Sequence, residues 1–138
     1  MTRIKLGGEL IKILSMFQGV TRTQVRDCIE GTERTIFVVE EGQISRAIGK
    51  GAENVRKLEK RLNRKIKIVE FNSVVTKFVR NLIYPAKAEG ISEDGKVIII
   101  TPADTVSRGR IIGRGAQNLR EMESITKRYF EIDEIKVV

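Results

Sequence analysis

The stretch Ile48-Gly49-Lys50-Gly51-Ala52-Glu53-Asn54-Val55 returns as Ile112-Gly113-Arg114-Gly115-Ala116-Gln117-Asn118-Leu119, placing Gly49 and Gly113 64 residues apart. At that offset Ala52 matches Ala116, Asn54 matches Asn118 and Arg56 matches Arg120, while Val55 and Leu58 are matched in character by Leu119 and Met122. A repeat of this length is one supersecondary unit stated twice. It predicts two domains, 1–72 and 73–138, with a boundary near Asn72. Halves of about 70 residues can only just bury a sufficient core. Because the link at Asn72 is so short, the halves are expected to pack as a stiff unit.

Each half reads in the same order. Leu6, Leu10, Ile13, Leu14 and Phe17 recur at helical spacing and predict a helix over about 6–18 that ends at Gly19. Gln24–Glu30 and Thr35–Val39 read as strands around a turn at Gly31-Thr32-Glu33. Gln43–Ile48 is a short helix running into Gly49. A second helix follows from Gly51 to about Asn63 with Ala52, Val55, Leu58 and Leu62 inward, and Lys65–Phe71 closes the half as a strand. The second half opens with a helix capped by Asn72 or Ser73, carrying Val74, Val75, Phe78, Val79 and Leu82, and stopped at Tyr84-Pro85. Strands at Lys87–Ile91 and Val97–Thr101 flank a hairpin turn at Glu93-Asp94-Gly95. A short helix ending near Ile112 leads to a longer one with Ala116, Leu119, Met122 and Ile125 inward. Glu131–Val138 reads as the last strand, with a phase slip between Ile132 and Ile135 that suggests a bulge.

Composition narrows the chemistry. The chain has no histidine and one cysteine, Cys28, so neither the commonest general base nor a zinc ligand set is available. No catalytic residue, metal site or cofactor site is proposed, and Cys28 is expected in a buried strand position. The opening Met1–Glu9 meets charge before a signal core could form, and no apolar run is long enough to span a bilayer, which points to the cytoplasm, with no membrane partner. The net charge is +8, and its placement is uneven. Residues 43–67 hold nine basic against two acidic side chains and residues 104–128 six against three, so the rest of the chain is slightly acidic. The positive excess therefore sits on the two glycine turns and the helices behind them. That suits a phosphate-rich partner. Lys57, Lys60, Arg61 and Arg64 read singly as solvated helix residues and together as a group that steers phosphate. The turns are not nucleotide loops: Ile44 and Gly51 stand at the deciding phosphate-loop positions, and Asn54 and Asn118 replace the last glycine of the dinucleotide fingerprint.

A short helix, an Ile-Gly-x-x-Gly-like turn and a second helix on a three-stranded sheet resemble the KH domain. A helix at the start of each unit and a strand at its end resemble the type II arrangement. The fold class expected is thus α+β, as two tandem type II KH domains, each α-β-β-α-α-β. Ala47–Arg56, followed by Phe78-Val79-Arg80-Asn81-Leu82-Ile83-Tyr84-Pro85-Ala86, is similar to the tandem KH region of the NusA family in its short archaeal form. The resemblance implies a monomeric transcription elongation or termination factor that binds nascent single-stranded RNA, with RNA polymerase as a further partner. It implies RNA-binding residues Arg46, Ile48, Gly49, Lys50, Gly51, Ala52, Asn54 and Lys57, and their counterparts Arg110, Ile112, Gly113, Arg114, Gly115, Ala116 and Asn118. Gly49 and Gly51 would let backbone approach phosphate, Lys50 adds a point charge, and Arg114 can make two hydrogen bonds. Bases would lie against aliphatic residues such as Ile48 and Ile66. Asn54 and Asn118 could equally serve to fix the turn. One departure stands out: the fourth turn position, glycine in the usual motif, is Ala52 and Ala116, which is comfortable where that position is already helical. The rival reading is a protein-interaction adaptor that docks on RNA polymerase, or a ribosome-associated KH protein.

Overall fold

The computed structural model describes residues 8–31 and 33–138. Leu6, the turn residue Thr32 and the first residues of the chain, on which the signal-peptide reading rested, lie outside the described residues. The chain divides into two compact units, Met1–Phe71 and Asn72–Val138. The architecture is mixed α+β, with two three-stranded sheets backed by helices.

The first unit runs α1 (Gly8–Thr21), β1 (Val25–Glu30), β2 (Arg34–Val39), α2 (Ile44–Ile48), a 3-10 turn at Lys50–Ala52, α3 (Glu53–Leu62) and β3 (Lys65–Glu70). β2 is central, antiparallel to β1 and parallel to β3. The parallel pairing requires a crossover, and α2 with α3 supplies it. Phe17 of α1 stacks on Phe37 of β2 with ring centroids 4.3 Å apart. Around them Cys28, Val39, Ala47, Leu58 and Ile66 complete the core. Cys28 takes the buried strand position expected of it, and burial pushes its thiol up to about 12.

Helix α1 does not stop at Gly19. It continues through Thr21, and the left-handed residue that terminates it is Arg22, at φ 55°, whose N–H donates to the Gln18 carbonyl at 2.8 Å. Thr21 explains the extra turn. Its Oγ1 donates to the Phe17 carbonyl and meets the hydroxyl of Thr23, both at 2.8 Å, so the buried helix end is satisfied internally.

The second unit runs α4 (Val75–Ile83), β4 (Ala88–Asp94), β5 (Val97–Pro102), α5 (Thr105–Ile112), a 3-10 turn at Arg114–Ala116, α6 (Gln117–Lys127) and β6 (Glu134–Val137). Its sheet repeats the pattern, with β5 antiparallel to β4 and parallel to β6. Phe78, Val79, Ile98, Ile100, Ile111, Met122, Ile125 and Ile135 are buried in it. Asn72 does not cap α4 directly: Val74 holds the cap position, and Asn72 Oδ1 accepts the Val74 N–H at 2.8 Å, bending the chain one step earlier.

The expected bulge at Ile132–Ile135 is absent. Strand pairing begins only at Glu134, and the residues before it form a loop anchored by the Asp133 N–H on the Lys96 carbonyl at 2.7 Å. The register shifts fall instead in β1, at Val25–Asp27, and in β4, at Ala88–Gly90. β3 and β6 start at Lys65 and Glu134, so the repeat offset grows by five residues between the last helix and the last strand. The extra segment includes Tyr129 and Phe130, whose rings sit 5.6 and 5.8 Å from that of Phe78.

Candidate nucleic-acid interface

The two turns have one conformation. Gly49 and Gly113 lie at φ/ψ 80/168° and 74/174°, Gly51 and Gly115 at 61/27° and 62/25°, and Ala52 and Ala116 at 59/29° and 63/22°. The first position lies in a region that only glycine adopts readily, and the next two are left-handed. Two left-handed residues in a row reverse the chain between α2 and α3, and again between α5 and α6. The alanine is therefore not helical. It precedes the helix as its cap residue and bears a steric penalty of about 1 kcal/mol.

The four glycines serve two ends. A Cβ on Gly49 would lie 2.9 Å from Asn54 Nδ2, and one on Gly113 would lie 2.7 Å from Asn118 Cγ, whereas nothing lies within 4 Å of such an atom on Gly51 or Gly115. So Gly49 and Gly113 make room for an asparagine. Gly51 and Gly115, exposed at the tip, are the pair beside which another molecule has space. The asparagines lock the turn: Asn54 Nδ2 donates to the Arg46 carbonyl at 3.1 Å, and Asn118 Nδ2 to the Arg110 carbonyl at 2.8 Å. Asn54 is buried and Asn118 exposed.

Backbone bonding closes each turn in the same way. Gly49 and Gly113 donate to Ser45 and Gly109, at 3.0 and 2.8 Å, and Ala52 and Ala116 donate to Gly49 and Gly113, at 3.1 and 3.2 Å. With those amides occupied, the N–H groups of Lys50, Gly51, Arg114 and Gly115 form the tip. The side chains of Lys50 and Arg114, on the tip itself, are exposed, and so are those of Arg46, Lys57 and Arg110. In the first unit Arg56 folds back so that its Nη1 donates to the Gly51 carbonyl. Such a cluster of amides and cations attracts an anion. Ile48 and Ile112 are half-buried behind the tip, but Ile66, expected as a surface for bases, is only 8% exposed and belongs to the core.

Pattern reading missed several supports. Glu59 Oε2 accepts the Ile66 N–H at 3.1 Å, and its counterpart Glu123 accepts that of Ile135 at 2.9 Å, tying each long helix to the last strand of its unit. Asp104 caps α5 by accepting the Ser107 N–H at 2.6 Å, and the hydrogen bonds from Ser107 hold its carboxyl below the ordinary range. Ser107 Oγ in turn accepts the Lys87 N–H at 3.0 Å. Among the described residues no cluster of His, Cys, Asp or Glu could hold a metal, and no helix is long and apolar enough to cross a membrane.

The model of the KH domain family matches residues 10–85, which is more than half of the chain. Over its whole length the chain is 31% identical to the probable transcription termination protein NusA of Methanocaldococcus jannaschii, covering 77% of that protein. The chain belongs to the archaeal NusA-like KH family. It is 32% identical to the NusA-like protein of Methanococcus vannielii, over 99% of this chain and 80% of that one, and 28% identical to that of Halococcus morrhuae, over 98% and 99%. Among solved structures, that of APE1850 is similar, with a TM-score of 0.73 and 26% identity over 93% of this chain and 96% of that one. The stretch matched by the family model includes the first turn, Gly49–Ala52.

Proposed function

We propose that the chain is a single-stranded RNA-binding transcription elongation or termination factor, and that each unit is a KH domain of the type II arrangement holding RNA backbone at its glycine turn. The observation that carries this reading is the identity of the two turns. The same three unusual backbone conformations recur at Gly49, Gly51 and Ala52 and at Gly113, Gly115 and Ala116, each time with an exposed cation, Lys50 or Arg114, between the glycines. A turn kept only for folding needs the glycine and the asparagine, but not a cation at its tip. KH domains clamp about four nucleotides of single-stranded nucleic acid through this loop. The names of the relatives, probable transcription termination proteins, support the place of that binding in transcription.

In mechanism, phosphate oxygens would accept hydrogen bonds from the tip amides while Lys50 or Arg114 offsets their charge. Aromatic stacking is a minor term in this reading: Phe17 and Phe37 pack on each other in the first core, Phe78 packs with Tyr129 and Phe130 in the second unit and Arg26 lies over Phe71, which leaves Tyr84 as the exposed ring. Specificity would then come from the half-buried aliphatic residues and backbone rather than from rings. NMR titration with a short single-stranded RNA tests the reading, since the amides of Lys50, Gly51, Arg114 and Gly115 should shift first. Shifts that avoid both turns would refute it. A pull-down of RNA polymerase that survives RNase would favour the adaptor reading.

A further inference from the structure

We propose that the outward side of α3, formed by Lys57, Lys60 and Arg61, is a second phosphate-contacting surface that takes RNA backbone beyond the nucleotides held at the turn. The inference rests on the RNA-binding reading of the turns and extends it to a longer strand.

The duplication supplies a contrast between a packed helix face and an open one. Positions 57, 60 and 61 correspond at the 64-residue offset to Glu121, Ser124 and Ile125 in the second unit, none of them a cation. In the second unit Glu121 and Ile125 are buried, whereas Lys57, Lys60 and Arg61 are all exposed. Along the helix Lys57 stands three residues before Lys60 and four before Arg61, so the three side chains share one side, about one turn apart. Like charges at that spacing repel, and among the described residues no ion pair engages them. Arg64, by contrast, is paired with Glu30 and does not belong to the surface. A polyanion would relieve the repulsion.

Continuity with the turn decides which polyanion. α3 begins directly after Ala52, and Arg56 on its first turns reaches back to the Gly51 carbonyl. A strand whose phosphate sits at the Lys50–Gly51 tip is therefore within a few residues of the Lys57 side chain. Single-stranded nucleic acid follows such a basic track through its backbone without regard to sequence.

The test uses the full chain, with K60Q/R61Q and K50Q/R114Q as variants whose melting curves are first shown to match the parent. Fluorescence anisotropy is measured with a tetranucleotide and with a strand of about twelve nucleotides across a salt series. For K60Q/R61Q the longer strand should lose on the order of tenfold in affinity near 0.1 M salt, with a log–log slope shallower by about 1.4, while the tetranucleotide is unaffected. Equal loss at both lengths, or no loss at either, overturns the inference. If K50Q/R114Q still weakens the tetranucleotide in those cases, the turn reading survives alone. If the parent binds neither strand, both readings fall.

Discussion

Asn54 occupies the space that a side chain on Gly49 would need, and from there its amide is bonded to the Arg46 carbonyl at 3.1 Å. The glycine and the asparagine are thus one device. The first can turn only because it lacks a Cβ, and the second holds the turn by filling that gap. Asn118 and Gly113 repeat the relation.

Substituting the glycines should separate their roles. Gly49→Ala meets both a forbidden backbone region and a contact near 2.9 Å, and should destabilise its unit by about 2 kcal/mol or more. Gly51→Ala has open space and a left-handed backbone only, so about 1 kcal/mol is expected. Urea unfolding of both variants checks the order. A Gly51 variant that is the more damaged of the two would mean that the tip is packed.

Ala52→Gly and Ala116→Gly should stabilise. Each alanine is left-handed, at φ 59° and 63°, and glycine removes a penalty of about 1 kcal/mol at a smaller entropic cost. A rise in urea midpoint is the expected result. A fall would show that the methyl groups make contacts worth more than the strain.

Removing the asparagine amide tests the lock itself. Asn54→Ala deletes a hydrogen bond at a buried position and should lose about 1 kcal/mol, and the exposed Asn118→Ala should lose less. RNA affinity should fall in both, because the tip amides lose their fixed aim. Thermal melts alongside anisotropy separate the two effects.

Cys28 gives a pH dependence whose sign can be worked out. Its ordinary value of 9.0 is pushed up to about 12, chiefly by burial and next by the nearby Asp27 carboxylate. Between those values the unfolded chain has released the thiol proton and the folded one has not. Stability is therefore intact below pH 9 and declines as pH rises towards 12. In a Cys28→Ala variant the decline should be shallower, read from urea midpoints between pH 8.5 and 10.5. The folded thiol should also react slowly with disulfide reagents at pH 8.

Much of this architecture was legible because the chain states its element order twice. The 64-residue offset between Gly49 and Gly113 marked the turns, and the helices and strands around them followed from apolar spacing. What escaped has local physical causes. Gly19 looked like a helix end, yet the buried hydroxyls of Thr21 and Thr23 carried α1 one turn further. The phase slip at Ile132 came from a loop, since the five extra residues before β6 keep helical and strand patterns from meeting. The conformation of Ala52 was hidden because alanine is the best of helix formers, and only the paired glycine geometry shows it held left-handed. Glu59 and Glu123 look like ordinary surface charges until their carboxylates are seen accepting strand amides.

The most direct test of the account is reversal of charge at both tips. Lys50 and Arg114 are exposed, so Lys50→Asp with Arg114→Asp should leave the melting temperature within a few degrees of the parent. Fluorescence anisotropy with single-stranded RNA across a salt series should then show affinity lower by on the order of tenfold or more, and a shallower salt slope. Unchanged affinity and slope in a folded double variant would contradict the claim that the glycine turns hold the phosphate backbone.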